Sequence, residues 1–226
     1  MKGQGEKNPL RKNIEELIEK GDLKGLLEKT GELHGHFCAY SACGVKAGYI
    51  ALRELGIKNT GMKDFVAIVE TNNCFGDGIQ VVTGCTFGNR ALIFKDYGKT
   101  AVTVARRDGV AIRIALNPDF VDALTEKYPD AWSLFEKIVV RKEKAIEEEM
   151  ERLRQLFAVM SFEMLDVPED KMFRIERKTI RLPEYAPKSH PVFSSTKCSV
   201  CGEKVLETHA RVKNGKAVCI PCSGEE

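Results

Sequence analysis

The chain contains no run of about 18 apolar residues, the length a helix needs to cross a bilayer, so a membrane span is not expected. Its first ten residues, Met1 to Leu10, are polar and have no apolar core, which argues against a secretion signal. No internal repeat or low-complexity tract is present, and the net charge is only +2. With no secretory context, the eight cysteines read as reduced, metal-binding thiols of a cytoplasmic protein rather than a disulfide framework.

The 226 residues suit one substantial domain plus a small module. We expect an α+β domain over 1–170, an extended linker over 171–195 punctuated by Pro183, Pro187 and Pro191, and a four-cysteine module over 196–226. Charge is unevenly shared. From residue 171 onward there are 11 Lys/Arg against 6 Asp/Glu, a net +5, leaving −3 on the first 170 residues. That bias admits contact of the module with nucleic acid or an acidic protein surface.

Hydrophobic periodicity predicts a charged amphipathic helix over Leu10 to Lys29, bent at Gly21-Asp22. A turn carrying His34-Gly-His36-Phe-Cys38 follows, then a helix rich in small residues from Ala39 to Leu55 with Gly56 as its C-cap. Short strands are expected at Phe65–Glu70, Ala91–Phe94, Thr100–Ala105 and Val110–Leu116. Asn117-Pro118-Asp119 starts a further helix. One long helix is expected from Asp130 to Leu165, its stripe of Phe135, Val139, Ile146, Met150, Leu153, Phe157, Met160 and Met164 serving as core or dimer seam. Met172 to Leu182 reads as an extended strand.

Cys198-x2-Cys201-x17-Cys219-x2-Cys222 places four thiols in two chelating pairs, the spacing of a tetrahedral zinc site. Four sulfurs leave no position for substrate, so this site is structural. A module of about thirty residues buries too little apolar surface to fold without the metal. His209 is surplus to the ligand set.

The second cluster is less regular. In an extended segment His34, His36 and Cys38 share one face, and Cys38 lies where a helix begins, a place that favours thiolate. Cys74 arrives after a strand and is expected to join His34, His36 and Cys38 as a metal ligand. Imidazole with thiolate suits a second divalent transition metal, zinc foremost, and an incomplete protein shell leaves room for chemistry. Asp77 and Gln80 stand as candidates to orient ligands. Cys85 is expected close to the site, and Cys43 as a packed thiol. Capping and burial would explain the same residues without metal.

His34-Gly-His-Phe-Cys38, Asp77-Gly-Ile-Gln80-Val-Val-Thr-Gly-Cys85-Thr-Phe-Gly88 and Lys95-Asp-Tyr-Gly-Lys99 together resemble the FmdE family of formylmethanofuran dehydrogenase proteins, in order and spacing, over roughly residues 28 to 165. The terminal module is similar to that of its two-domain members. The resemblance implies a thioredoxin-like mixed sheet flanked by helices, a treble-clef-like zinc finger, a homodimer, and a metal site at the His/Cys motif. It also implies association with the molybdenum or tungsten dehydrogenase subunits of methanogenesis and one-carbon metabolism. Where the family commonly has Pro-Gly after the motif cysteine, this chain has Ala39-Tyr40, and Tyr40 is expected to crowd the pocket mouth. No Cys-x-x-Cys occurs in the first domain, so the thioredoxin-like outline carries no expectation of disulfide chemistry. The leading reading is an accessory or catalytic metal-binding subunit. The alternatives are a non-enzymatic zinc-finger module docking on protein or nucleic acid, and a metal delivery or sensing protein. The linker cations Lys178, Arg181, Lys188 and Lys197 have only Tyr185 and Phe193 between them, too few aromatics for a stacking platform, which ranks nucleic acid second.

Overall fold

The computed structural model describes residues 9–61, 64–182 and 193–225. The chain divides into two compact units, Met1–Ala186 and Pro187–Glu226.

In the first unit, a 3-10 turn at Pro9–Arg11 leads into α1 (Lys12–Lys20) and α2 (Leu23–His34). The bend falls where expected: Gly21 takes φ 67° and the Asp22 carboxylate accepts the Gly25 N–H at 2.9 Å. The second helix, however, continues beyond Lys29 to His34. The Thr30 hydroxyl returns to the Leu26 carbonyl at 2.9 Å, and Gly35 at φ 89° closes the last turn. α3 (Ala39–Leu55) ends on Gly56 as the sequence implies.

The sheet has the order β2-β1-β3-β4-β5. β1 (Phe65–Val69) and β2 (Leu92–Phe94) are parallel and joined through α4 (Phe75–Thr83), while β3 (Ala101–Arg106) and β4 (Val110–Leu116) add antiparallel. A parallel β-α-β unit extended by an antiparallel hairpin fits the thioredoxin-like outline. Period-two alternation separates the faces. Phe65, Ala67, Val69, Val102, Val104, Ile112 and Ile114 join the main core with the apolar sides of α3 and α4. Val66, Ile68, Ile93, Ala105 and Ala111 form a second cluster against Ile180 and Leu182.

The helix α4 is a departure from expectation, because Phe75-Gly-Asp77-Gly reads as a loop. Of its two glycines Gly78 serves packing, whereas a Cβ on Gly76 would meet nothing within 4 Å. A Cβ on Gly44 would lie 2.1 Å from the Phe75 carbonyl oxygen, and one on Gly78 would lie 2.5 Å from the Ser41 carbonyl oxygen. The first turns of α3 and α4 therefore meet backbone to backbone.

α5 (Pro118–Lys127) starts after Asn117. The single helix expected over 130–165 is instead α6 (Pro129–Phe135), a π-turn at Glu136–Val140, a break, and α7 (Glu147–Met164). Lys142 takes φ 52° in the break. The Glu149 carboxylate then caps α7 by accepting the Ile146 N–H at 3.2 Å while Lys137 bridges to it at 2.6 Å. The break splits the apolar stripe. Leu153, Met160 and Met164 are buried, whereas Val139, Ile146 and Met150 are exposed.

After α8 (Glu169–Met172), β5 (Phe173–Thr179) pairs antiparallel with the whole of β4, from Leu116↔Phe173 to Val110↔Thr179. Residues 173–179 of the linker expected over 171–195 are thus an edge strand of the sheet. The linker prolines, 183, 187 and 191, lie outside the described residues.

The second unit holds two hairpins, β6 (Ser195–Lys197) with β7 (Lys204–Leu206) and β8 (Arg211–Lys213) with β9 (Lys216–Val218), followed by α9 (Ile220–Ser223). Asn214 and Gly215 both take positive φ, the two-residue turn that matches strand twist. Cys198 and Val218 are its only fully buried core residues among those described.

Candidate metal centre

Among the described residues, two groups of side chains bring metal-ligating atoms within 4.8 Å of one another: Cys198, Cys201, Cys219 and Cys222 in the second unit, and His34, His36 and Cys38 in the first. Tetrahedral zinc with thiolate ligands spaces its donors by roughly 3.3–3.8 Å.

In the tail cluster the Cys201 and Cys219 sulfurs are 3.8 Å apart. The first pair sits on a knuckle in which Gly202 N–H reaches the Cys198 carbonyl at 3.0 Å and Cys198 N–H reaches Glu203 at 2.9 Å. Cys219 is the N-cap of α9, and its N–H donates to the Cys198 sulfur at 3.3 Å. The turn between β6 and β7 and the start of α9 contribute two sulfurs each, an arrangement compatible with a zinc finger. All four thiols fit a closed metal site, and His209 instead contacts the Thr208 hydroxyl at 2.9 Å.

In the first cluster, His34 is the last residue of α2, His36 lies past the αL glycine, and Cys38 is the N-cap of α3. They converge across a helix–turn–helix corner rather than along the extended segment the spacing suggests. The two imidazole rings are 4.4 Å apart. His34 Nδ1 meets the Asp77 carboxylate at 2.7 Å, and the other Asp77 oxygen accepts from Gln80 Nε2 at 2.9 Å. Fixing Nδ1 as the protonated nitrogen leaves Nε2 with a free lone pair. That Nε2 is buried and has no hydrogen-bond partner. An orphaned acceptor beside an imidazole and a thiol is what a metal ion would satisfy.

Cys38 is buried and its thiol is held low, at about 6. The largest cause is the hydrogen bond from Cys74, opposed by burial and aided by the Ser41 and Tyr40 N–H groups and by His34. The same bond pushes the Cys74 thiol up. His36 is exposed at the rim; partial burial, then His34, lower its pKa. Cys74 thus acts on Cys38 but stands outside the mutual group of three.

Cys43 is fully buried, its thiol pushed up by burial, and packs as expected. Cys85 does not join the cluster. It lies past the far end of α4 from Cys74, buried, with Arg11 and Arg107 as the nearby charges, and its thiol is pushed up to about 11 by burial. The glycine-flanked motif that suggests proximity instead serves a turn, where Gly84 takes φ 69° and a Cβ there would lie 2.5 Å from Gly61. Tyr40 is half-buried and lines a small apolar cavity with Ala39, Cys43, Phe120 and Trp132.

Two supporting residues escape a reading of the sequence. Asn73 accepts the Phe75 N–H at 3.0 Å and thereby starts α4. Ser41 accepts the Cys38 N–H at 3.3 Å and donates to its carbonyl at 2.7 Å. The capping-box position of Ser41 is a readable signal; the role of Asn73 requires α4 to be known.

A crystal structure described as that of a tungsten formylmethanofuran dehydrogenase FmdE-like protein from Syntrophus aciditrophicus matches with a TM-score of 0.57 at 20% identity, covering 89% of this chain and 92% of that one. At that identity the likeness speaks to fold. A probable S-adenosyl-L-methionine-binding protein from Archaeoglobus fulgidus is 39% identical over 216 residues, 93% of this chain and 56% of the relative. The chain thus spans about half the length of the curated relative it matches. The family model described as FmdE, molybdenum formylmethanofuran dehydrogenase operon, matches residues 33–174, a span that includes every group of the first cluster. The chain belongs to the FmdE family.

Proposed function

We propose that the first unit is a metal-binding domain in which His34, His36 and Cys38 hold a divalent transition metal, zinc foremost, and that zinc staples the four-cysteine tail. The observation that carries this reading is the buried, unpartnered Nε2 of His34, whose ring is fixed from behind by Asp77. Three protein ligands leave a coordination position for a substrate or partner group, and a metal there supplies Lewis acidity. The residues do the rest. Asp77 orients His34, Cys74 and then the first N–H groups of α3 favour thiolate at Cys38, and the exposed ring of His36 marks the open side. Family membership supports association with the protein products of a dehydrogenase operon, and we assign the chain as an accessory or catalytic subunit in one-carbon chemistry, acting as a homodimer. Metal analysis of the full chain tests it. Two equivalents per chain are expected, falling to one in Cys38→Ser; an unchanged two, or one in both proteins, refutes the first site.

A second reading is S-adenosyl-L-methionine binding. It is favoured by the 39% identity that extends over nearly all of this chain. Titration calorimetry with that compound decides it: absence of heat places the relative's ligand outside the shared half.

A further inference from the structure

The metal reading uses the Cys38 sulfur and leaves the Cys74 thiol beside it without a task. Both cysteines are helix N-caps, Cys38 of α3 and Cys74 of α4. The two helices meet through their first turns, where Gly44 faces the Phe75 carbonyl and Gly78 faces that of Ser41. The crossing brings the two N-caps to one corner of the unit, where His34, a member of the 4.8 Å group with the Cys38 sulfur, bonds to Asp77 three residues after Cys74. Cys74 is only half-buried, and His36 beside the pair is exposed, so small oxidants can enter. Cys43 and Cys85 are sealed in the core.

We propose that Cys38 and Cys74 form an oxidisable dithiol, and that its disulfide and a metal at the His34–His36–Cys38 cluster exclude one another. The second half of this statement rests on the metal reading; the first does not. The oxidant class is a peroxide. The Cys38 sulfur attacks one peroxide oxygen, the O–O bond breaks, and water leaves after protonation, giving a sulfenic acid. The Cys74 sulfur then attacks that sulfur, the S–S bond forms and a second water departs. Two thiols are oxidised by two electrons, and one hydrogen peroxide is reduced to two waters. A disulfide sulfur is a poor metal ligand, so closing the bond removes one of the three donors.

The test uses the full chain, reduced and stripped of metal with a chelator, then treated with hydrogen peroxide, alkylated and mapped by mass spectrometry. The expected product is a cross-linked peptide pair containing Cys38 and Cys74, two hydrogens lighter than the separate peptides. Peptides of the four tail cysteines are read separately in the same map. Cys38 recovered as alkylated thiol, as sulfonic acid, or joined to another cysteine overturns the proposal. In Cys74→Ser, Cys38 is expected to proceed to sulfinic and sulfonic acid. Cys43→Ser, a change at a thiol sealed in the core, should leave the cross-link intact. Folding of each variant is checked by circular dichroism. A parallel sample loaded with zinc and treated with peroxide should release one equivalent as the cross-link appears; cross-linking with that equivalent retained overturns the exclusion. If the cross-link forms in a protein whose first cluster takes up no zinc, the dithiol stands and the metal reading falls.

Discussion

Asp77 offers a sharp test of how the first cluster is built. Its carboxylate receives His34 Nδ1 at 2.7 Å on one oxygen and Gln80 Nε2 at 2.9 Å on the other, so both oxygens are engaged. Removing a carboxylate that orients a ligating histidine typically costs 10–100-fold in metal affinity, or ~1.4–2.7 kcal/mol. Asp77→Asn keeps an oxygen that can accept from Nδ1 and removes the charge, so its loss should lie near the lower figure. Asp77→Ala frees the ring and deprives Gln80 of its acceptor, so its loss should lie near the upper one. A competition titration against a chromophoric chelator resolves the two sites, the first being the one absent in Cys38→Ser. Equal affinities in wild type and both variants would show that His34 needs no orienting partner, and the orphaned Nε2 would lose its explanation.

Other expectations follow from the packing and charges. Gly78→Ala drives a methyl to within 2.5 Å of the Ser41 carbonyl oxygen and of the Val45 nitrogen. This overpacking should cost about 1–3 kcal/mol and lower the melting temperature by about 2–4 °C per kcal/mol; an unchanged melt refutes the close crossing. Glu70→Gln breaks a two-bond pair with Arg113 at 2.7 and 2.8 Å and should cost roughly 2–3 kcal/mol at neutral pH, read by urea denaturation. Arg113 holds the Glu70 carboxyl below the ordinary carboxylate range. Its contribution is therefore complete above the unfolded value and fades as pH falls through the lower folded one. The gap between wild type and Glu70→Gln should shrink below about pH 4, the ordinary glutamate region; a gap that widens there would contradict the pairing. Chelation of the tail metal should expose residues 193–225 to protease while the first unit keeps its melt, since Cys198 and Val218 alone cannot hold that fold. Equal resistance with and without chelator would count against the staple.

Much of this is legible in the sequence because the signals are local. Ala39 to Leu55 carries helical periodicity up to a glycine, and Val110 to Leu116 alternates, so both elements stand where the residues place them. Spacing alone groups the four tail thiols. The regions that mislead share a different cause: the decisive contact lies far away in sequence. Gly78 looks like a loop residue until α3 is laid against it. The break after Val140 depends on a backbone conformation at Lys142 that lysine does not advertise. The pairing of His34 with Asp77 spans 43 residues, and no pattern within either segment announces it. Cys85 misleads for the same reason, since its glycines fit a turn at the opposite end of α4 from the cluster.

The glycine crossing of α3 and α4 also acts as a mechanical stop. Each sulfur is the leading group of its own rod, so their separation is set where the rods touch rather than by the loops that precede them. Sliding one rod along the other by a single residue would displace its sulfur by about 1.5 Å. The two glycines leave no slack for such a slide.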